Sequence, residues 1–288
     1  MTNNFEYRTL ELPDDISLPF FAYGIFKPRQ VAYSKIKNHV DADKITAVKV
    51  NYLMKHRDGV PILVDGENEY HHTEGTLLTF RPGHEKDAYY TIARTLSEKL
   101  YEWKIIMING KRVNALFGVN PDYGSDYIES RSERVNFNGK NDPFFDDALK
   151  LIEKNLNSNN HSSGLEPFFE LQMNYMLLWS AIERYSSIKY NKSKGENNRR
   201  FAKQKAFREG IKKFEDEYHH PVFSTDDLKM REFDANDAFK TLNYYYTFRC
   251  NIVHRGKSMY NDYKMLKTAA DELLEIFKNI LEDTFNEK

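Results

Sequence analysis

The chain has 288 residues, enough for two ordinary domains, and its 40% apolar and 14% aromatic content excludes wholesale disorder. The formal net charge of −1 excludes a globally basic nucleic-acid-binding protein but leaves room for a local basic site. A single cysteine, Cys250, excludes an intramolecular disulfide and a thiolate metal cluster. The lack of a disulfide fits a protein of a reducing compartment. Because neither a signal peptide nor an apolar run of the roughly 18 residues that a membrane helix needs is found, a soluble cytoplasmic protein is expected.

Residues 18 to about 120 alternate between short strand patterns and one helical pattern. The helical spacing lies in EKDAYYTIARTLSEKLYEW, and the strand candidates are LPFFAYGIF, KITAVKVNYLMKH, GVPILV, GTLLTF, KIIMIN and VNALFGV. Several of these runs are bounded by Gly or Pro, which favour turns. The pattern predicts a small mixed α+β barrel.

Three segments of this region carry a family resemblance: FAYGIFKP from Phe21 to Pro28, VPILV from Val60 to Val64, and EGTLL from Glu74 to Leu78. Together they resemble the gamma-glutamylcyclotransferase-like fold over about 100 residues, with the family's Tyr-Gly turn, proline-containing segment and Gly-containing strand in the same order. The resemblance implies that Tyr23, Gly24 and Ile25 form the pocket turn whose backbone N–H groups hold a substrate carboxylate.

The resemblance also implies a glutamate that moves a proton, and Glu98 is the best positional match, with Glu102 second. This chain departs from the family at Ile25, where the family has Ser or Thr, and it lacks the family's Glu-Gly pair. A proton-transferring carboxylate needs a dry pocket that raises its pKa, whereas Lys99 beside Glu98 indicates open surface. We therefore interpret both glutamates as solvated and expect the fold without the activity.

Residues 131–164 are predicted to be a linker with a short helix that follows Asn141-Asp142-Pro143. The polar stretch at residues 155–164 is the expected flexible joint. This divides the chain into an α+β domain at residues 1–130, the linker, and a helical domain at residues 165–288.

The helical domain is predicted from two apolar stripes at spacings of three and four residues. The first comprises Phe168, Leu171, Tyr175, Leu178, Ile182 and Tyr185, and the second Leu266, Ala269, Leu273, Ile276 and Ile280. A third helix, from roughly Asn236 to His254, lies between them in sequence. The three helices predict an up-down bundle. Tyr244, Tyr245 and Tyr246 of the middle helix are expected to be core, and base stacking is the alternative.

The middle helix contains FRCNIVH, in which Arg249 and His254 are separated by four residues. Lys, Arg and His are unusual on an apolar, aromatic segment unless they hold something anionic. The pattern resembles the HEPN superfamily, all-helical domains whose ribonuclease members carry an Arg-x4–6-His motif. The segment from Phe169 to Glu183 resembles their first long helix, and this implies that Glu183 faces the motif.

Arg and His suit RNA cleavage without a metal, in which the 2′-hydroxyl attacks the neighbouring phosphorus. His254 is expected to be the general base or acid, and Arg249 the clamp on the phosphate charge. Asn251 could orient the phosphate or the imidazole, and Glu183 could fix Arg249 or His254. In the alternative, Arg249 pairs with a core carboxylate and His254 caps a helix end.

The spacing of the motif has a geometric consequence. On a straight helix, positions five apart point roughly 140° away from each other. Both side chains can reach one phosphate only if the helix ends near His254, where Gly256 follows, or if two copies of the chain pool their motifs. We favour a homodimer or higher homo-oligomer through the helical domain.

A basic tract between Lys189 and Lys213 holds ten Lys or Arg against two Glu, with Phe201 and Phe207 interleaved. One interpretation is a groove for single-stranded RNA with base stacking, in which Arg199, Arg200 and Lys203 bind RNA together with the residues after the motif, Arg255 and Lys257. The alternative is a solvated insertion between helices.

No cofactor or metal motif is found. The pairs His71-His72 and His219-His220 are interpreted as surface-loop histidines, because neighbouring side chains diverge and do not share a metal. The sequence therefore favours a metal-independent endoribonuclease acting on RNA, with no cofactor and no membrane association. The resemblance implies a toxin or antiviral-defence effector with a regulatory partner protein. The alternatives are a cyclotransferase with a helical dimerisation module, and a non-catalytic ligand- or RNA-binding protein.

Overall fold

The computed structural model describes residues 9–57, 60–65, 72–119, 143–158, 165–224, 227–255 and 263–286. The chain divides into two compact units, with boundaries between Pro143 and Phe144 and between Thr284 and Phe285. We call them the N-terminal unit and the helical unit and describe each by itself. The described helices include none that is long and apolar enough to cross a membrane.

The N-terminal unit contains seven described strands and one α-helix. Helix α1 spans Glu85–Thr95, and the strands are β1 Phe20–Ala22, β2 Thr46–Val50, β3 Tyr52–Arg57, β4 Val60–Asp65, β5 Thr73–Leu78, β6 Tyr101–Ile108 and β7 Lys111–Gly118. The predicted single strand KITAVKVNYLMKH is divided into β2 and β3 at Asn51. Three short 3-10 turns precede β2.

Strand β7 is the centre of the sheet. It pairs antiparallel with β6 along its whole length, and on its other edge it pairs parallel with β1 near Asn114 and with β4 at Phe117. The sheet continues from β1 to β5 and β2, and from β4 to β3, so the order is β2-β5-β1-β7-β4-β3. Thr73 Oγ1 at the start of β5 donates to the Tyr52 carbonyl of β3 over 2.8 Å, so the sheet is nearly closed. The predicted mixed α+β, barrel-like character is confirmed.

The β6–β7 hairpin shows why the sheet has this register. Its two-residue loop is Asn109-Gly110, and both residues have positive φ, 49° and 77°. Asn-Gly favours such a loop, because its twist matches that of the flanking strands. Inside the sheet, the rings of Phe20, Tyr89 and Trp103 pack edge to face, with Phe20 and Tyr89 almost fully buried.

The helical unit contains six described helices and one small hairpin. They are α2 Pro143–Ser158, α3 Leu165–Tyr190, α4 Lys194–Ala202, α5 Lys205–Lys212, α6 Ala238–Arg255 and α7 Tyr263–Asn286, with β8 Val222–Phe223 and β9 Met230–Arg231. Every residue of the two predicted apolar stripes is buried. The stripes therefore form the core, where Phe277 of α7 packs against Tyr185 of α3.

Two segments behave differently from their sequence-based interpretation. Helix α2, which the sequence placed in the linker, packs within the helical unit, where Phe145 meets Phe277 and Glu153 pairs with Lys278. The basic tract folds into α4 and α5, and its rings Phe201 and Phe207 are 1% and 0% exposed. The proposed base stacking on these two rings is therefore wrong, because they face the core while the charged residues face solvent.

Candidate functional site

Helix α6 carries the Arg-x4-His motif, and its start is fixed by Asp237. The Asp237 carboxylate accepts hydrogen bonds from the backbone N–H groups of Phe239 (3.0 Å) and Lys240 (2.9 Å), as an N-cap residue does. Tyr244 and Tyr245 are buried, in agreement with the expectation that they are core. The helix is thus anchored at its start and along its aromatic face, and this sets the direction in which Arg249 points.

Arg249 lies against α3. Its Nη2 is 3.7 Å from Glu183 Oε1, and its side chain is only 16% exposed. The guanidinium carbon lies 5.7 Å from the centre of the Tyr246 ring, one turn earlier on α6. The structure therefore places Glu183 opposite Arg249, as the HEPN resemblance implies and as the alternative of an Arg249–carboxylate pair also predicts.

Lys194, at the start of α4, joins the same cluster. Its Nζ is 3.3 Å from Glu183 Oε1 and 5.0 Å from the centre of the Tyr246 ring. Burial by itself lowers the pKa of Lys194, but the hydrogen bond to Tyr246 and the charge of Glu183 outweigh it and raise that pKa. Two cations therefore share one carboxylate. We call the group formed by Glu183, Lys194, Tyr246 and Arg249 the Arg249 cluster. This cluster has an excess of positive charge.

The Arg249 guanidinium keeps unused hydrogen-bonding capacity. Its Nε–H is buried and has no hydrogen-bond acceptor among the described residues. A buried donor left without an acceptor costs free energy, on the order of 1–3 kcal/mol. An anionic oxygen placed there would supply the acceptor and would also meet the excess positive charge.

The motif's other residues are described less fully. The backbone of His254 and Arg255 belongs to α6, but their side chains lie outside the described part of the structure, as does the whole of Lys257. Helix α6 is continuous from Ala238 to Arg255. Because five positions on a continuous helix correspond to a rotation of roughly 140°, positions 249 and 254 lie on different sides of α6.

Asn251 is not brought to Arg249. Its Nδ2 donates to the Phe223 carbonyl of β8 over 2.9 Å, so this side chain holds the hairpin against α6. Arg249 faces α3 instead, as expected for residues two apart on a helix, which point to nearly opposite sides. Asn251 thus has a structural contact with β8, and its predicted role in orienting a phosphate or the His254 imidazole stays a prediction, because the His254 side chain lies outside the described part of the structure.

The predicted RNA-binding cations of α4 are exposed. Arg200 Nε pairs with Glu196 over 2.9 Å, Arg199 lies over the Phe239 ring at 5.8 Å, and Lys203 follows the last residue of the helix. Since Lys194 of the same helix belongs to the Arg249 cluster, α4 links this exposed basic surface to the motif helix.

The predicted N-terminal pocket is almost filled. The Tyr23 hydroxyl donates to the Leu116 carbonyl over 2.8 Å and accepts from the Leu63 N–H over 3.2 Å. The cavity beside Gly24 and Ile25 has a volume of about 20 Å³, enough for at most a water molecule. No carboxylate lines it, and Glu98 lies in a half-exposed turn after α1.

One histidine differs from its sequence-based interpretation. The His219 side chain is only 5% exposed, and its Nε2 lies 2.8 Å from Glu272 Oε1, so reading it as a surface-loop residue is wrong. Its ring stacks on Phe233 at 3.8 Å. No local pattern reveals this pair, because Glu272 lies 53 residues away on α7. His220 is exposed, as expected.

Comparisons with known proteins give no assignment for this chain: no family model, no curated protein and no solved structure matches it.

Proposed function

We propose that this chain is a metal-independent endoribonuclease of the HEPN type, which cleaves RNA by attack of the 2′-hydroxyl and leaves a 2′,3′-cyclic phosphate. The observation that carries the proposal is the Arg249 cluster. A mostly buried guanidinium lies 3.7 Å from the Glu183 carboxylate of the facing helix and beside a second cation, and its Nε–H has no acceptor among the described residues. These are the properties of a clamp for a phosphate oxygen.

In this mechanism Arg249 neutralises the charge that develops on phosphorus, while His254 transfers the proton. Glu183 is a positioning residue that holds the guanidinium fork in one orientation. Lys194 adds charge beside it and is connected through α4 to the exposed Arg199, Arg200 and Lys203, which would bind the RNA backbone. Arg255 and Lys257 follow the motif in sequence and would add positive charge for RNA binding.

A second copy of the chain would complete the site. Positions 249 and 254 are roughly 140° apart around a continuous helix, so one copy does not easily direct both residues at one phosphate. Apolar side chains suited to such an interface are exposed on one face of α3 at spacings of four, namely Leu165, Phe169 and Met173. A separate groove of about 220 Å³ is lined mainly by apolar residues of α3, the β8–β9 hairpin, α6 and α7, together with Asn251.

The described residues give no support to the cyclotransferase alternative, because the cavity that they form at Gly24 has a volume of only about 20 Å³ and none of their carboxylates lines it. The HEPN resemblance further implies a toxin or an antiviral effector in the cytoplasm, controlled by a regulatory partner.

The test is cleavage of total RNA by the purified chain in EDTA, followed by analysis of the product ends. We expect cyclic phosphates and no cleavage of DNA, which lacks the 2′-hydroxyl. Arg249→Ala should slow cleavage by about 10²–10³-fold, and His254→Ala by about 10²–10⁴-fold. Arg249→Lys should restore little, because a point charge does not reproduce the fork.

Two matched controls separate catalysis from folding. Arg94→Ala removes an exposed arginine from the N-terminal unit, and His220→Ala removes an exposed histidine from the helical unit; both should cleave at the wild-type rate. Wild-type cleavage by His254→Ala would refute the proposal. So would a requirement for Mg²⁺ with 5′-phosphate products.

A further inference from the structure

A second group of chemically active side chains lies around His219, and it uses none of the residues proposed for RNA cleavage. His219 Nε2 lies 2.8 Å from Glu272 Oε1, and the two side chains are 5% and 3% exposed. The carboxylate of Glu217 completes the group: one donor atom from each of the three residues lies within 4.8 Å of the others. An ion at roughly 2.0–2.2 Å from each donor would require rotations of these side chains, which bring Glu217 closer and open the hydrogen bond between His219 and Glu272.

The contacts around these donors resemble the outer shell of a metal site. His219 Nδ1–H donates to the Glu217 carbonyl over 3.0 Å, which orients the ring with Nε2 towards Glu272. The Tyr245 hydroxyl donates to Glu272 Oε2 over 2.8 Å, leaving Oε1 on the His219 side. Metal-binding histidines typically donate their other N–H to a carbonyl or carboxylate, and their carboxylate neighbours are hydrogen-bonded in turn.

Two of the three donor residues can be approached from solvent. His219 lines a cavity of about 510 Å³ together with His220, Tyr244 and the α7 residues Lys264 and Thr268, whereas Glu217 and Glu272 are not among the described lining residues. An ion can therefore approach from the cavity at His219 or from the exposed Glu217. The same cavity provides room for the solvent or ligand that would complete the coordination, since three protein donors leave at least one position open.

We propose that Glu217, His219 and Glu272 form a binding site for a divalent transition-metal ion of the Zn²⁺ class. One imidazole nitrogen and two carboxylates suit this class of ion. In the metal-free protein, a proton forms the hydrogen bond between His219 Nε2 and the Glu272 carboxylate. Binding of the ion releases that proton to solvent, so the ion replaces the proton as the positive charge between ring and carboxylate.

The sequence alone does not reveal this site, because its donors are not a pair of histidines. The site uses a single histidine of the His219-His220 pair, with one carboxylate two residues earlier and another 53 residues later. The proposal is independent of the nuclease. Removal of the ion should leave Arg249 and Glu183 in place, and the cyclic-phosphate products unchanged.

The experiment measures metal binding by chelator-treated protein, by calorimetry with Zn²⁺ and by the visible absorption of Co²⁺. Wild type should bind one ion per chain. Glu217→Gln should weaken binding at least tenfold, and His219→Gln should abolish it. Tyr245→Phe, which removes a positioning hydroxyl but no donor, should weaken binding by about 10–100-fold.

Asp216 provides the matched control, because this carboxylate is exposed, precedes Glu217 in the chain and belongs neither to the group of donors nor to the described lining of the cavity. Asp216→Asn should bind Zn²⁺ as tightly as wild type. Glu217 is exposed, so its variant tests the site even if the His219 variant fails to fold. No uptake by wild type, unchanged affinity in Glu217→Gln, or an equal loss in Asp216→Asn would each overturn the proposal and leave an ordinary buried ion pair.

Discussion

The buried pair of His219 and Glu272 gives a quantitative prediction for the metal-free protein. Both side chains are at most 5% exposed, and Glu272 has a further hydrogen bond from Tyr245. Removing one partner of a buried ion pair costs roughly 3–5 kcal/mol, because the remaining charge is left uncompensated. His219→Gln should therefore lower the free energy of unfolding by about 3 kcal/mol in EDTA at slightly acidic pH.

The pH dependence follows from the pKa of His219. Burial alone lowers this pKa, but the hydrogen bond to Glu272 and its negative charge outweigh burial and raise the pKa above its ordinary value of 6.5. The folded protein therefore holds the proton more tightly than the unfolded chain. The resulting stabilisation is complete below the unfolded pKa and is lost as the pH rises through the folded pKa.

The assay is urea unfolding of wild type and His219→Gln, followed by circular dichroism, in EDTA between about pH 5.5 and pH 9. The stability difference between the two proteins should be largest at the acidic end and should shrink as the pH rises. His220→Gln should show neither the loss nor this dependence, because His220 is exposed. A difference that grows with pH, or that stays below about 1 kcal/mol throughout, would refute the reasoning.

Three further predictions concern other parts of the chain. Purified protein should release no 5-oxoproline from gamma-glutamyl amines, because the cavity at Gly24 holds only about 20 Å³; turnover that is lost in Glu98→Gln would contradict this. Phe201→Ala should reduce the free energy of unfolding, measured in urea, by about 3–5 kcal/mol. Substitution of an exposed residue by Arg200→Ala should change it by less than about 1 kcal/mol. Equal effects of the two substitutions would mean that the Phe201 ring is not core. Light scattering should give at least a dimer for wild type and a monomer for Phe169→Glu, and a fully active monomeric wild type would remove the shared-site argument.

The arrangement of the candidate site was partly accessible from sequence. The contact between Arg249 and Glu183 agrees with what the HEPN resemblance implied for α3. The contact between Lys194 and Glu183 was not predicted. In the sequence, Lys194 is one of ten basic residues, and nothing in the basic tract indicates that the first turn of α4 lies against Glu183. Asn251 and Arg249 are close in sequence. Residues two apart on a helix, however, face nearly opposite sides, so closeness in sequence does not bring these two side chains together.

The sequence by itself determined the features that depend on short-range periodicity. The stripes of α3 and α7 predicted buried helix faces, and alternating apolar runs between turn residues predicted strands, because the backbone repeats of 3.6 and 2 residues impose these patterns locally.

Only the tertiary structure decided which distant elements meet. The parallel pairing of β1 with β7 and the division of β2 from β3 depend on closing the sheet. The burial of Phe201 depends on a core that α4 shares with α7, and His219 finds Glu272 only because the chain returns across 53 residues. Such contacts are selected by packing and by the cost of unpaired buried charge, which are properties of the folded chain and not of any one segment.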